Sequence, residues 1–248
     1  MSLQTHNISK HFGGVYALNN LNIVLKKGII TGIIGPNGSG KSTLVNVLTG
    51  VLSLDAGSMT ILGEKLQKVK PHQVPFIGLT RTFQDVRLFE QLSVLDNILV
   101  VLTERSVWSS IFEKHTKIHV SRAHEALDKV GLLFKKDELA KNLSYGQRKL
   151  LEIARVLAME HSGTGDLEIF LFDEPFAGLF PEMIKIVKEV LLDLKSRGKS
   201  VVLIEHNIDL IRSLSDQIFV LDSGQLLAQG VPEEVLSRKD VIEAYLGE

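Results

Sequence analysis

The segment GIITGII, GPNGSG, KSTLVNVLTGV, residues 28–51, narrows the possible folds more than any other part of the chain. A continuous apolar strand runs into a glycine loop, and the loop into a helix with Leu44, Val47, Leu48 and Val51 at helical spacing. The loop residues Gly35, Pro36, Asn37, Gly38, Ser39, Gly40, Lys41, Ser42 and Thr43 fit G-x-x-x-x-G-K-[ST], in the strand-then-helix setting that gives the pattern meaning. The residue types suit phosphate. Glycines let backbone N–H groups turn inward, and the helix N-terminus near Lys41 adds partial positive charge. Lys41 is placed to pair with β and γ oxygens, Ser42 to ligate Mg²⁺ through its hydroxyl, and Thr43 to help hold the phosphates. The competing reading is a glycine-rich turn that only caps a helix.

The remaining pattern surrounds this unit with more of the same kind. Leu3 to Leu25 breaks into short apolar segments separated by turn residues, as antiparallel strands do. From about Val86 to Glu160 the periodicity is mostly helical. Ser93 and Asp96 resemble a capping box, SRAHEALDKVGLL puts Ala123, Leu127 and Val130 on one face, and Gly131 can end that helix. The stretch 103–120 is poorly patterned. Strand EIFLF, a helix from Pro181 to Arg197 stopped by Gly198, strand SVVLIE and a hairpin at Asp222 to Gly224 complete the chain. Alternating strands and helices imply a mainly parallel sheet with helices on both faces. The expected class is α/β: a P-loop NTPase core, an N-terminal antiparallel β region and an inserted α-helical lobe. We expect a single domain, 1–248, with 1–85 and 161–248 as core and 86–160 as the helical lobe.

Bulk properties exclude several alternatives. The 28 basic and 29 acidic residues leave a net charge of -1, so nothing in the overall field points to nucleic acid as a partner. There is no cysteine, hence no disulfide framework and no thiolate metal site. The N-terminus lacks the pattern of a secretory signal, and no apolar run approaches the roughly 18 residues of a membrane span. Direct membrane insertion is therefore not expected, and any membrane role must come through a partner.

Two acids end the strand IFLFDE. Asp173 and Glu174 leave it in different directions, so Asp173 can serve the metal side while Glu174 polarises an attacking water. His206 ends the next strand, where it is either a solvated side chain or, if the sheet order allows, a group that reaches the γ-phosphate. Phe12 fits a core position or a flat apolar partner for adenine. Gln84, in RTFQDVRLF, is unremarkable by itself. In LSYGQRK, Ser144 is a good N-cap and Gln147 completes a capping box, yet Gly146 in the first turn weakens the helix by roughly 1 kcal/mol relative to alanine. A closely approaching ligand would account for that glycine.

The order GPNGSGKST, TFQ, LSYGQ, FLFDE, AGL and IEH, over essentially the whole chain, resembles the ATP-binding subunits of ABC transporters. RTFQDVRLFEQLSVLDNILV, LSYGQRKLLEIAR and the terminal AYLGE are similar to the ATPases of branched-chain amino-acid importers, whose relatives serve urea import and lipopolysaccharide export. The resemblance implies an ATPase that drives a permease by ATP-dependent dimer closure. It implies that Phe12 stacks on adenine, Gly35 to Thr43 wrap the phosphates, and Gln84 reaches Mg²⁺ and the attacking water. Glu174 becomes the base, His206 the γ-phosphate sensor, and Asp173 the metal-side acid. Ser144, Gly146 and Gln147 would close over ATP held by a second ATPase subunit, identical or not. The protein would sit in the cytoplasm on the inner face of the membrane, bound to permease subunits. Tyr145 and Phe180 depart from the family pattern, Phe180 standing where Asp or Asn is usual.

Overall fold

The computed structural model describes residues 1–83, 86–102, 117–161 and 166–246. These divide into two compact units, one of Met1–Arg81, Leu167–Glu174 and Leu191–Glu248, the other of Thr82–Asp166 and Pro175–Val190.

The first unit holds two sheets. An antiparallel sheet is built from β1 (Leu3–Phe12), β2 (Val15–Leu21), β3 (Val24–Leu25), β5 (Ala56–Ile61) and β6 (Glu64–Leu66), in the order β2-β1-β5-β6 with β3 also on β1. The second sheet contains β4 (Ile30–Ile34), β7 (Leu79–Arg81), β8 (Ile169–Asp173), β9 (Ser200–Ile204), β10 (Gln217–Asp222) and β11 (Gln225–Gly230), in the order β11-β10-β4-β9-β8-β7. All its pairings are parallel except the β10–β11 hairpin. That hairpin turns through Ser223 and Gly224, both at positive φ (48° and 78°), the two-residue turn whose twist matches the strands. The expected α/β class is what the structure shows.

Strands β4, β8 and β9 are buried at every residue, as interior strands of a sheet covered on both faces must be. Helix α1 (Lys41–Leu48) joins the two sheets into one core: its Leu44, Val45, Val47 and Leu48 cluster with Ile8, Leu18 and Met59 and with Ile33, Leu171 and Phe219. Within β4, Gly32 is required by packing. A Cβ there would lie 2.8 Å from Ser215 Oγ and 3.0 Å from Ile218 Cγ2.

In the second unit, α2 (Val94–Leu102), α3 (Lys117–Lys129) and α4 (Tyr145–Ala158) pack on one another. Ala123, Leu127 and Val130 are fully buried, as their spacing predicts. Gly131, at φ 68°, follows α3, and the Leu132 N–H reaches back to the Leu127 carbonyl, closing the helix end. The Ser93 cap differs from a full capping box: its Oγ accepts from the Asp96 N–H, but the Asp96 carboxylate takes the Ser93 hydroxyl at 2.6 Å. Aspartate is one methylene shorter than glutamate, consistent with this closer contact. Residues 103–116 of the unpatterned stretch lie outside the described residues.

Helix α4 begins with a complete capping box, Gln147 N–H to Ser144 Oγ and Ser144 N–H to Gln147 Oε1. Gly146 is buried, and a Cβ there would meet Met183 Sδ at 2.5 Å. Packing within the chain thus supplies a reason for this glycine, though a soft one, because a methionine side chain can shift. Helix α5 (Pro181–Ser196) starts with Pro181 in its first turn and Phe180 in front of it, whose carbonyl accepts from Met183 and Ile184 but whose side chain has no acceptor for the first-turn N–H groups.

Two stability outcomes follow from these contacts. Gly32→Ala should destabilise the protein by about 1–3 kcal/mol through overpacking, read as a lower denaturation midpoint in urea. Phe180→Asn should stabilise it by about 1 kcal/mol by adding a cap to α5, and an unchanged midpoint would show that the cap is not formed.

Candidate functional site

Three adjacent parallel strands, β4, β9 and β8, bring the candidate residues of the first unit to one edge of the sheet. The register pairs Ile33 with Ile204 and Ile204 with Asp173, so the phosphate loop, His206 and the Asp173–Glu174 pair all leave at the carboxyl ends of neighbouring strands. Ligands in open α/β sheets bind in that location.

The loop itself is shaped by close backbone contacts. A Cβ at Gly35 would fall 2.2 Å from the Leu221 carbonyl oxygen, and one at Gly40 would fall 2.5 Å from that of Ala17. Gly38 has φ 82° and open space around its missing Cβ, so the loop presents an unfilled side to a ligand. Ser39 is buried and Lys41 is 7% exposed. The Lys41 ammonium donates to the Gly35 carbonyl at 2.7 Å and the Pro36 carbonyl at 2.9 Å. Burial lowers its pKa, opposed by the charges of Glu174 and Asp173. Ser42 is exposed and Thr43 half-buried, both directly after Lys41 in the first turn.

Asp173, at the end of β8, is 5% exposed. Glu174 has φ 49°, a left-handed conformation rare outside glycine and asparagine, and its N–H is held by the Ile204 carbonyl at 2.9 Å. This kink turns its carboxylate off the strand toward β9, where Oε1 lies 3.0 Å from His206 Nε2. The sheet order therefore answers the condition attached to His206. Asn207 caps α6 (Ile208–Leu214) by accepting from Asp209 and Leu210, which fixes the backbone just after the histidine.

Phe12 is not core. It lies at the tip of the β1–β2 hairpin, paired with Val15, 51% exposed, with Lys10 Nζ 5.5 Å from its ring centroid. Ser144, Gly146 and Gln147 stand together at the start of α4 in the second unit. Gln84 lies outside the described residues.

Two further residues meet the candidate set. Tyr245, from α7 (Lys239–Leu246) and 37% exposed, interacts with the backbone of Gly35, and partial burial pushes its pKa up to about 12. Its place in AYLGE gave no hint of that neighbour. Arg81 is 3.9 Å from Asp173. Its position at the end of a short strand, one residue before TFQ, was the available signal.

The donor set fits the expected ligands. Inward backbone N–H groups and a buried ammonium suit phosphate, while one hydroxyl and one carboxylate suit a hard cation such as Mg²⁺ that takes its other ligands from phosphate and water. No group of three or more His, Cys, Asp or Glu side chains able to hold a metal occurs among the described residues. No helix among them is long and apolar enough to cross a membrane.

Comparison with known proteins is consistent along the whole chain. Residues 18–177 match the ABC transporter family, and residues 225–248 match the family described as branched-chain amino acid ATP-binding cassette transporter. The high-affinity branched-chain amino acid transport ATP-binding protein LivG of Salmonella typhimurium is 36% identical over 255 aligned positions, covering 99% of this chain and 98% of the relative. A nucleotide-free ATP-binding cassette from an ABC transporter superposes with a TM-score of 0.86 at 35% identity, covering 100% of this chain and 99% of its own. The dimeric post-hydrolysis structure of a cassette bound to ADP and phosphate has a TM-score of 0.79 at 26% identity, covering 93% of this chain and 98% of its own. Identity sustained from end to end, on a fold that superposes without a missing part, shows that the chain belongs to the ABC transporter family and is an ATP-binding cassette whose ATP hydrolysis drives transport.

Proposed function

We propose that this cassette powers a permease for branched-chain amino acids, working as one of two ATPase subunits that close over shared Mg-ATP. The observation that carries the substrate class is the match of residues 225–248 to the branched-chain cassette family, joined to full-length similarity with LivG. The dimeric form of a related cassette supports the pairing. In this reading 86–160 is the helical lobe that meets the permease, 1–85 and 161–248 are the catalytic core, and the subunit sits on the cytoplasmic face of the membrane.

The residues divide the work as follows. Lys41 exchanges the Gly35 and Pro36 carbonyls for β and γ oxygens of ATP, while the N–H groups of residues 35–43 surround the phosphates. Phe12, exposed at its hairpin tip, offers its ring to adenine. Ser42 and Asp173, with Gln84, are the chain's donors for Mg²⁺, which when bound neutralises phosphate charge. Glu174 accepts the proton of the attacking water in line with the γ-phosphate. His206 Nε2 hydrogen-bonds Glu174 Oε1 in the structure and turns to the γ-phosphoryl oxygens when they arrive. Ser144, Gly146 and Gln147 meet the nucleotide of the partner subunit, adding a second helix N-terminus to a γ-phosphate that the first grips from one side.

Glu174→Gln keeps the size of the side chain and removes the base. It should leave ATP binding intact and lower the hydrolysis rate by about 10²-fold or more, with ATP-bound dimer accumulating on size exclusion. Unchanged steady-state turnover would remove Glu174 from that role. Ser144→Arg should abolish hydrolysis with little change in monomer affinity for ATP. A parallel loss of affinity would show that the serine serves its own subunit's nucleotide. For the substrate class, the complete transporter reconstituted in liposomes should accumulate leucine, isoleucine or valine on addition of ATP. Accumulation of urea instead would overturn it.

A further inference from the structure

We propose that Arg81 is a positioning residue that ties Asp173 to the helix leaving the phosphate loop, and so sets how tightly the site takes its divalent cation. The proposal rests on the reading of Asp173 as the cation-side acid.

Arg81 closes β7, the edge strand, where its backbone pairs with Leu171, two residues before Asp173. Its side chain is only 11% exposed. Nη1 donates to Asn46 Oδ1 and to Thr49 Oγ1, both at 3.0 Å. The Thr49 hydroxyl donates in turn to the Val45 carbonyl at 2.7 Å, so its orientation is fixed by α1 itself. Nη2 faces Asp173 Oδ2 at 3.9 Å, with the carboxylate side chain 6% exposed.

These contacts define a bridge. Asn46 and Thr49 lie in and just after α1, the helix that begins at Lys41, and Asp173 ends the strand two places from β4 across the sheet. One planar guanidinium therefore spans the second half of α1 and the acid, using donors in a fixed fork that a lysine ammonium cannot reproduce. The 3.9 Å separation is too long for a hydrogen bond and short enough for strong attraction in a site with little water. Arg81 thus aims Asp173 from beyond hydrogen-bond distance, through its charge and through its own anchors on and just after α1. Lys41 also feels the charges of Asp173 and Glu174.

Removing the Arg81 guanidinium should loosen the aim of Asp173 without emptying the phosphate loop. We expect Arg81→Met to bind a fluorescent ATP analogue in EDTA within about twofold of wild type, yet to need about tenfold more Mg²⁺ for half-maximal nucleotide binding in titrations with the metal, the scale seen when partners of metal-ligating groups are removed. Arg81→Lys restores the charge without the fork and should recover part of that shift. An unchanged Mg²⁺ dependence in Arg81→Met, or an equal loss of binding with and without Mg²⁺, would overturn the proposal. If the methionine variant does not fold, the lysine variant decides: a threefold or larger shift supports the bridge, and none refutes it. Asp173→Asn in the same titration separates the two layers of argument. If it leaves the Mg²⁺ dependence untouched, the reading of Asp173 fails. If it shifts the dependence and both Arg81 variants do not, only the bridge fails.

Discussion

The positive charge of Lys41 sits in a place with little water, and the surrounding architecture answers that fact. A buried ammonium needs oxygen atoms around it. The loop supplies two of its own carbonyls, and the end of β8 supplies two acids nearby. Glycine at positions 35 and 40 follows from the same demand, since the loop closes tightly enough that a side chain at either would run into another backbone carbonyl. The central place of β4, with β9 on one side and β10 on the other, keeps the loop's root rigid while its far side stays open.

Much of this was legible in the sequence because each signal was local. A strand, a glycine loop and a helix succeed one another within 24 residues, and the burial of every β4 residue agrees with an apolar run that has no alternation. The helix face of Ala123, Leu127 and Val130 and the capping box at Ser144 were equally local and are present as read.

What escaped the sequence was long-range. Nothing near Arg81 announces Asp173, since the two are brought together only by β7 pairing with β8. Tyr245 meets Gly35 from the other end of the chain. The neighbour of Gly146 that explains its burial, Met183, arrives from a later helix, so a glycine that looked reserved for a ligand also has an internal reason. Whether His206 lies beside the phosphate loop depended on sheet order, and the strand sequence β4-β9-β8 puts its strand next to β4.

The left-handed backbone of Glu174 has a consequence for how this protein can evolve. Holding a glutamate there stores roughly 1 kcal/mol or more of strain that glycine would release. Selection for heat resistance alone would thus favour a residue with no carboxylate at that site. With Glu174 as the proposed base, thermal robustness and turnover pull the same codon in opposite directions, and the glutamate persists only while turnover is what is being selected.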